Sequence, residues 1–597
     1  MADSAPTLRN RKPPAADSTT ASAASPDTKK PAPPARAGIL TYLITFLALV
    51  VALGVTTLAG LYLYELNPNE YFYPNPVPPW EVVPGDTPGN WTVDFSADLE
   101  KRDAVVAAFK HAWLAYERDA MGCDEYHPIG HKGTNLTSAG GIGYTVVDSL
   151  DTMLIMGLDD EYARARAWVE NHLSFDRDAE FNTFETTIRV LGGLLSAYDL
   201  TEGDPLYLSL ATDLGERLLP VFDTPAGLPY SLVNLAQRKG VMDPDNRGLV
   251  STAEAASLQL EFRYLAFLTE REEFWEKAEE VMNVIRRAVP SNGLATIFMS
   301  MQAGRFMSAE IRLGSRGDSY YEYLLKQYLQ TGGIEGVYRD MYRAAMDGIH
   351  TNMIGVSNNK KLTYTLEIHP RRAEFNKQPL TWVRALKQDH LACFLGGSLM
   401  LGATTANSLV LRPSIPPKEE ELDERGKRDW ATGAGLVETC VDTYRTASGL
   451  APEIVYFRDR VESRGESDWY IKDARPPGEP PVYDARYILR PETVESLFLA
   501  WRLTGHPRYR EYGWQIFQAI EKHCRVPSGG YASVLNVEEV PVKWEDKMET
   551  FLMSETLKYL YLLFSDDKVL PLDEYVFNTE AHPLPIFRPD NIRVGGY

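Results

Sequence analysis

Acidic residues stand at the starts of several predicted helices, and the stretch ILRPETVES at 488–496 shows this pattern plainly. Pro491 suits the first position of a helix, where its missing N–H costs nothing. Glu492 and Glu495 follow in the first turn, where the positive end of the helix dipole stabilises carboxylates. Apolar residues from Val494 to Trp501 then recur at the spacing of a buried helical stripe. Either the acids only begin a helix, or they also point into a pocket.

Other predicted helices begin with similar polar residues among apolar neighbours. They are Glu185 in FETTIR, Glu254 and Glu261 in AEAASLQLEFR, Asp318 in GDSYYEY, His390 in DHLACF, and Glu549 and Glu555 in METFLMSETLKY. Carboxylates that pack together raise one another's pKa, which is how general acids arise near neutral pH. A set of acids without a comparable set of His or Cys residues indicates glycoside chemistry or a hard metal ion rather than zinc.

The elements that must position these acids are paired helices that recur along the chain. An apolar helix, a short polar or Gly turn and a second amphipathic helix begin at Leu194, Phe262, Tyr320 and Leu497. Repeated pairs of this kind stack their hydrophobic faces, as an open superhelix or as a closed toroid. The residues leave both arrangements open, but only a toroid gathers the acidic helix starts around one pocket. We therefore predict an all-α fold and favour the toroid.

Eight segments in order resemble the class I α-mannosidases of glycoside hydrolase family 47. The matching text is VVDSLDTMLIMGL, FETTIRVLGGLLSAY, AEAASLQLEFRYLAFLT, GDSYYEYLLKQ, HLACFLGGSLMLG, LRPETVESLFLAWRLTG, ETLKYLYLLFSDD and YVFNTEAHPLP. The resemblance implies an (α/α)7 barrel that is closed at one end by a small β-hairpin and holds Ca2+ near its floor. It also implies hydrolysis of terminal α-1,2-linked mannose on Man9-type N-glycans, with inversion at the anomeric carbon.

The resemblance assigns roles to three carboxylates. Glu185 matches the general acid, acting through a water, and Glu492 matches the general base; Asp318 matches a third essential carboxylate whose role as acid or base stays open. Each has a simpler alternative. Glu185 is spaced for an i,i+4 ion pair with Arg189, and Asp318 or Ser319 is placed to cap a helix.

The resemblance also implies the metal site and the sugar pocket. Thr579 in FNTEAHP matches the only direct protein ligand to calcium, although on its own NTEAHP would be read as a turn. Waters held by Glu495, Glu555 and Glu580 would complete the six to eight oxygens that Ca2+ requires. The other positions that match the pocket are Arg189, His390, Glu453, Arg490 and Phe551. From sequence alone, His390 could equally be a buried core histidine, and Phe551 is more typical of a core residue.

Four cysteines are too few for a fold built on disulfides, but they could form one or two bridges in an oxidising compartment. Cys393 and Cys440 match the disulfide pair of the family. Cys123 and Cys524 have no assigned partner, and a cysteine in an apolar helix is usually a small buried hydrophobe.

Arg316, two residues before Asp318, resembles the endoplasmic reticulum branch, which converts Man9GlcNAc2 to Man8GlcNAc2. A long arginine that contacts the glycan branches narrows specificity by exclusion. Gly317 and the GGS at 396–398 depart from the usual pattern of that branch. The alternatives are Golgi-type trimming to Man5, a mannosidase-like lectin of glycoprotein quality control, or a helical repeat scaffold that binds proteins.

The N-terminal region predicts a membrane anchor. Residues 1–37 have the composition of a disordered tail, whereas 38–64 contain no charged residue and are long enough to span a bilayer. Basic residues precede this run and acidic residues follow it, which predicts a cytosolic N-terminus and a lumenal catalytic domain. We therefore predict a single-pass type II protein of the endoplasmic reticulum or early Golgi, with a Pro-rich stalk at 65–95 and a catalytic domain at 96–597.

Two further features concern possible partners. Asn90 and Asn135 lie in N-glycosylation sequons, which agree with a lumenal domain. The net charge of −21 argues against nucleic acid as a partner. The predicted partners are high-mannose N-glycans on glycoproteins and the membrane, and the oligomeric state stays open.

Overall fold

The computed structural model describes residues 93–371, 381–458, 466–475 and 479–589. The predicted tail at 1–37, the span at 38–64, most of the stalk and the sequon at Asn90 lie outside these residues. Within the described ranges, no helix is both long and apolar enough to cross a membrane.

The described helices alternate along the chain between an outer and an inner type. The outer helices are Leu99–Ala120, Asp159–His172, Pro205–Leu218, Glu272–Ala288, Gly336–Asn352, Glu424–Asp442 and Pro507–His523. The inner helices are Tyr144–Met156, Gly192–Leu200, Gln259–Thr269, Asp318–Gln330, Phe394–Thr404, Glu492–Thr504 and Leu557–Phe564. Shorter helical segments lead into four of the inner helices: Thr183–Glu185 with the π-helical Thr186–Leu191, Thr252–Ala256, the 3-10 turn His390–Cys393, and the π-helical Leu552–Thr556.

The inner helices form a closed ring. Each contacts the next one along the chain, from Tyr144–Met156 through to Leu557–Phe564. The π-helical turn Leu552–Thr556 then packs back against Tyr144–Met156. The toroidal arrangement is therefore confirmed for the described residues, and the open superhelix is wrong.

Sequence patterning explains which helices lie inside. The outer helix Glu272–Ala288 buries one stripe that includes Phe274, Val281 and Ile285, and it exposes charged residues on its other face. The inner helix Phe394–Thr404 is buried at every position. Its Gly397 is needed because a Cβ there would lie 2.9 Å from the Ser496 Cα of the neighbouring inner helix. Close helix packing thus accounts for the unusual GGS sequence.

All the strands are short and antiparallel. They are Glu125–His127 with Lys132–Thr134; Glu180–Asn182, Leu232–Asn234 and Lys239–Val241; Leu249–Ser251, Phe298–Ser300 and Arg305–Phe306; Ile354–Val356 with Thr363–Thr365; Glu367–Arg371 with Thr381–Ala385; Lys387–Asp389, Ile454–Phe457 and Trp469–Tyr470; Ser533–Val534 with Trp544–Glu545; and Tyr575–Phe577 with Pro583–Pro585. Except for the last hairpin, each strand connects an outer helix to the next inner helix. The inner helices therefore all begin on the side that carries the strands, which we call the strand face, and end on the opposite side, the turn face.

The last hairpin, Tyr575–Phe577 with Pro583–Pro585, follows the final inner helix and enters the ring from the turn face. Asn578, near its tip, donates hydrogen bonds to the Ile188 carbonyl (2.8 Å) and to the Glu261 carboxylate (2.7 Å). The Lys326 ammonium donates to the Asn578 carbonyl at 3.4 Å. The hairpin tip therefore contacts three inner segments from within the ring.

Candidate active site

Glu492 is the first residue of its helix, and Pro491 is the capping residue just before it. The sequence predicted Pro491 as the first helical residue, so the helix begins one residue later than predicted. His390 Nδ1 donates to Glu492 Oε2 at 2.8 Å, and an Arg490 nitrogen lies 3.7 Å from the other carboxylate oxygen. Burial raises the pKa of Glu492, but the charge of Arg490 and the hydrogen bond from His390 outweigh this effect and leave the pKa below its ordinary value. Glu492 is therefore an ionised, buried carboxylate.

His390 is buried, as its simpler interpretation requires, yet it also contacts the predicted base. Its Nε2 lies 3.1 Å from the Thr493 hydroxyl and 3.2 Å from the Tyr444 hydroxyl. Both ring nitrogens therefore have partners, which fixes the orientation of the imidazole toward Glu492.

Arg490 and Arg189 both contact one aromatic ring, that of Phe551. Arg490 makes a bifurcated contact with Glu453, with Nε 3.1 Å from both carboxylate oxygens. The guanidinium carbons of Arg490 and Arg189 lie 5.7 and 5.8 Å from the centroid of Phe551. Phe551 is therefore a buried spacer that holds two cations by cation–π contacts.

Asp318 begins its inner helix directly, and Gly317 is the capping residue. The prediction that Asp318 or Ser319 caps the helix is therefore wrong: the Asp318 carboxylate instead accepts the Ser319 N–H at 2.9 Å. Burial, with the negative charges of Glu322 and Glu492, raises the pKa of Asp318 to about 8. Asp318 is consequently protonated at neutral pH, whereas Glu492 is ionised.

Glu185 makes the i,i+4 ion pair that its spacing allows, with Arg189 Nε at 2.8 Å. Tyr144 also donates to this carboxylate at 3.3 Å, and 36% of the Glu185 side chain is exposed. Arg189 is itself largely buried and contacts Thr550 at 2.8 Å and the Glu580 carboxylate. The pair therefore belongs to a larger buried network and is not an isolated surface ion pair.

Thr579 lies at the hairpin tip beside several carboxylates. Its hydroxyl donates to Glu322 at 2.8 Å, and Glu322 also pairs with Lys326. Lys326 lies 3.7 Å from Glu495 as well. Burial raises the pKa of Glu495 to about 8, with added repulsion from Glu322 and Glu492.

Glu555 and Glu580 complete this group. Burial, followed by the charges of neighbouring acids, raises the pKa of Glu555 well above its ordinary range. Burial raises the pKa of Glu580 in the same way, although Arg189 opposes the shift. We call Glu322, Glu495, Glu555, Glu580 and Thr579 the floor cluster. Its carboxylates outnumber the cations that contact them.

The floor cluster fits a hard cation in its chemistry. Its donors are all oxygen atoms. Burial, and then repulsion from neighbouring acids, raises the pKa values of Glu495 and Glu555, so a bound cation would favour their ionised forms. In the part of the chain that the structure describes, no three His, Cys, Asp or Glu side chains are arranged to hold a metal ion directly. A cation here would therefore need backbone, hydroxyl and water oxygens in addition.

Sequence reasoning gave no role to a second buried network behind the site. Asp151 accepts from Lys558 at 2.9 Å and contacts His582 at 2.8 Å, and His582 also contacts Asp148 at 3.1 Å. All four side chains are fully buried. We call them the hairpin cluster, because they join the first and last inner helices to the hairpin. The sequence feature that could have revealed this cluster is the presence of Asp148 and Asp151 in the largely apolar helix Tyr144–Met156.

Arg316 lies apart from the floor cluster. It has a left-handed φ of 71°, and its guanidinium lies 5.1 Å from the Phe298 ring centroid and 3.9 Å from Glu254. Gly317 is explained by the same turn, since a Cβ there would lie 2.3 Å from the Arg312 carbonyl oxygen. Arg316 thus projects beside the acids of the strand face, near Glu254.

The predicted disulfide between Cys393 and Cys440 is present and joins an inner helix start to an outer helix, with the Cα atoms 5.9 Å apart. Cys123 and Cys524 are free, and Cys524 is fully buried among apolar residues. The prediction of a buried hydrophobic cysteine therefore holds for Cys524, whereas Cys123 is only half-buried.

The geometry agrees with comparisons to known proteins. The family model described as glycosyl hydrolase family 47 matches residues 108–586. A mannosyl-oligosaccharide 1,2-α-mannosidase of Arabidopsis thaliana is 43% identical over 517 residues, covering 82% of this chain and 79% of that protein.

Two further relatives point the same way. An endoplasmic reticulum mannosyl-oligosaccharide 1,2-α-mannosidase of Schizosaccharomyces pombe is 42% identical, covering 81% of this chain and 89% of the relative. The solved structure of an α-1,2-mannosidase from Trichoderma reesei matches with a TM-score of 0.70 and 28% identity, covering 82% of this chain and all of that one. The chain therefore belongs to glycosyl hydrolase family 47.

Proposed function

We propose that this protein hydrolyses terminal α-1,2-linked mannose from high-mannose N-glycans of glycoproteins, with inversion of configuration. The observation that carries the proposal is that Glu185, Asp318 and Glu492 all lie at the starts of inner segments on the strand face of one closed ring, where His390 holds the Glu492 carboxylate at 2.8 Å. Their environments also differ, since the pKa of Glu492 is lowered and that of Asp318 is raised. Carboxyl groups whose environments separate their pKa values are suited to act as base and acid. The names of the relatives supply the substrate class.

In the proposed reaction Glu492 acts as the general base. His390 and Arg490 hold its carboxylate in the ionised form, so that it can accept a proton from a water attacking the anomeric carbon. In an inverting glycosidase that water lies between the base and the sugar, on the face opposite the leaving group. The leaving oxygen then needs a proton from an acid.

Two residues are candidates for that acid. Glu185 is partly exposed and bound to Arg189, so a water would have to relay its proton. Asp318 is already protonated at neutral pH because its pKa is raised to about 8. A mannosyl fluoride separates the two, since fluoride departs without protonation. If Asp318 is the acid, Asp318→Asn should recover activity on the fluoride and Glu185→Gln should not. If Glu185 is the acid, the reverse should hold.

The floor cluster is proposed to hold Ca2+. Thr579 would be the direct ligand, and Glu495, Glu555 and Glu580 would hold the waters around the ion. When bound, the ion supplies charge that orients the sugar hydroxyls. The chain itself positions Thr579 through the hairpin tip, and Glu322 orients the threonine hydroxyl.

The finer architecture and location complete the proposal. The ring corresponds to an (α/α)7 barrel, with the final hairpin closing one end. The run at 38–64 would anchor the protein as a type II membrane protein of the endoplasmic reticulum or early Golgi. Arg316, beside the acids of the strand face, supports trimming of Man9GlcNAc2 to Man8GlcNAc2, and Golgi-type trimming to Man5 is the alternative outcome.

The test is the release of mannose from Man9GlcNAc2 by the full chain, with and without EDTA. We expect one discrete Man8 product, and we expect release to stop with EDTA and return when Ca2+ is added. A folded, Ca2+-loaded protein that releases no mannose but binds the glycan would contradict the enzyme proposal and favour the lectin. Continued trimming to Man5 would contradict only the proposed specificity, in which trimming stops at Man8GlcNAc2.

A further inference from the structure

One connection on the turn face differs from the others. The connections from inner to outer helices at 157–158, 201–204, 270–271, 331–335 and 505–506 are tight turns. The equivalent connection between Phe394–Thr404 and Glu424–Asp442 runs from 405 to 423. Connections of this length are uncommon inside a compact domain, although this one includes a short 3-10 segment at Glu419–Glu421. Closing the helix pair does not require this length, because the neighbouring pairs close without it.

The long connection exposes aliphatic side chains at its tip. Leu411 is fully exposed, Leu409 is 65% exposed, and Val410 and Ile415 are 43% and 47% exposed. These four residues lie within one short segment, which we call the 409–415 tip. Single exposed aliphatic residues need no explanation, but four in one short segment do.

The base of the connection is firmly held. The Leu409 N–H donates to the Glu421 carbonyl at 2.8 Å. The Glu421 carboxylate accepts the Ser414 hydroxyl at 2.7 Å and the Lys418 N–H at 2.8 Å. Leu422 is buried. The apolar tip is therefore displayed by a braced scaffold, and its exposure is part of the fold.

The N-terminal segment joins the domain on the same face. Phe95 packs on Trp501 near the end of one inner helix, with ring centroids 5.4 Å apart. The Asp98 N–H donates to the carbonyl of Phe564, the last residue of another inner helix, at 2.8 Å. Arg412 in the tip lies 3.7 Å from Asp573, in the segment that follows Phe564. The tip and the entry of the chain thus share the turn face.

We propose that the 409–415 tip inserts into the interface of the lipid bilayer that anchors the chain, so that the turn face rests on the membrane and the strand face opens away from it. This inference rests on the proposed membrane anchor at 38–64. The linker at 65–92 could reach up to about 90 Å when extended, so the anchor alone leaves the orientation of the domain free. An apolar tip on the tethered face would fix that orientation.

The composition of the tip favours lipid over a protein partner. Protein interfaces concentrate their binding energy in Trp, Tyr and Arg residues that fill pockets. The exposed apolar residues of this tip are aliphatic, and Arg412 within it has a side chain that is 89% exposed and long enough to extend toward headgroups. Tethering on the same membrane raises the effective concentration of a weak contact, so shallow insertion suffices.

The test places a fluorophore at the tip of the full chain in phosphatidylcholine vesicles. An NBD label is attached at Leu411→Cys in a Cys123→Ser background, because Cys524 is buried. The matched control carries the label at Met242→Cys, since Met242 is 46% exposed on the strand face. We expect doxyl-labelled phosphatidylcholine to quench the label at 411 several-fold and to leave the label at 242 unchanged.

Three outcomes would overturn the proposal. A chain that floats with the vesicles but shows no quenching at 411 excludes insertion. A blue shift that follows protein concentration and not lipid identifies a second copy of the chain as the occupant. A chain that releases mannose but does not float overturns the anchor and this inference together, and leaves the hydrolysis intact. As a further check, Leu409→Ser with Val410→Ser should at least halve the quenching at 411.

Discussion

Two buried charge clusters meet at the hairpin, and they differ in charge balance. In the hairpin cluster, Asp151 contacts Lys558 and His582, and Asp148 contacts His582. Burial raises the pKa of Asp151, but these two partners outweigh it and lower the pKa to about 2. In the floor cluster four glutamates share, among the described residues, only Lys326 and Arg189, and the pKa of Glu495 rises to about 8. The carboxylates of both clusters are buried, so the opposite pKa shifts follow mainly from the number of cations that contact them.

The comparison separates structural charge from functional charge. A buried acid with a matched cation is stable as it stands, and it holds the hairpin against the inner helices. Buried acids in excess must take up protons or bind a cation, which suits a site that binds Ca2+ and transfers protons. We therefore expect changes in the hairpin cluster to affect stability first, and changes around the floor cluster to affect catalysis first.

The largest expected effect is on turnover, with Glu492→Gln. Loss of the base should lower kcat by about 10²–10⁴-fold or more, since that is the usual contribution of a general base. The midpoint of thermal unfolding should stay close to that of the wild type. The measurement is mannose release from Man9GlcNAc2, with Glu545→Gln, an acid in a strand of the same face, as the control. If Glu492→Gln left turnover unchanged, the Glu492 carboxylate would have only a structural role.

Lys558→Met should act in the opposite way. Removing the cation leaves Asp151 buried without its main partner, and breaking a buried pair costs about 3–5 kcal/mol of unfolding free energy. Denaturant unfolding measures this loss, and Lys568→Met, an exposed lysine just beyond the same helix, is the matched control. The double variant with Asp151→Asn should recover part of the stability. If Lys558→Met lost turnover but kept its stability, the hairpin cluster would not have the structural role assigned to it.

Removing Ca2+ tests the floor cluster. Ligand at 100 times its Kd stabilises the folded state by about 2.7 kcal/mol. Addition of EDTA should therefore lower the unfolding midpoint of the wild type, whereas Thr579→Ala should show little further loss. Thr201→Ala is the control, because its hydroxyl bonds its own helix at 2.7 Å on the turn face. Equal responses of the wild type and Thr579→Ala to EDTA would place the ion elsewhere.

The smallest expected effect is on pH dependence. An acid with a pKa of about 8 must stay protonated to act, so kcat/KM should fall by about tenfold per pH unit above pH 8 if Asp318 is the acid. Glu492 must be ionised, and its lowered pKa places the acidic limb below the usual range of a glutamate. In Asp318→Asn the alkaline limb should disappear together with most of the activity. An unchanged limb in that variant would assign it to another group.

The sequence predicted the inner helix starts well because local rules decide them. The acids at Glu185, Asp318 and Glu492 were visible as polar residues that interrupt helical stripes, and the resemblance to the family supplied their proposed roles. The paired-helix pattern likewise predicted the all-α fold but left the ring and the open superhelix both possible, and the exact first residue of each helix depended on capping. Pro491 and Gly317 illustrate this, because each caps a helix that was expected to begin differently.

What the sequence could not reveal depends on contacts between distant residues. Lys558 and Asp151 are 407 positions apart, and in LKYLYLLF a lysine reads as an exposed residue. Glu322 was missed for the same reason, since its partner Thr579 comes from the hairpin. Exposure of the 409–415 tip was equally hidden, because the four aliphatic residues of SLVLRPSI do not by themselves show whether distant residues cover them.

The most direct test of the account is the proton NMR spectrum of the first mannose released from Man9GlcNAc2. If Glu492 activates a water opposite the leaving group, the α-linked sugar must appear first as β-mannose, before mutarotation. We therefore expect the β-anomer signal to rise first and to require Ca2+. Initial release of α-mannose would mean retention, and it would contradict the role assigned to Glu492.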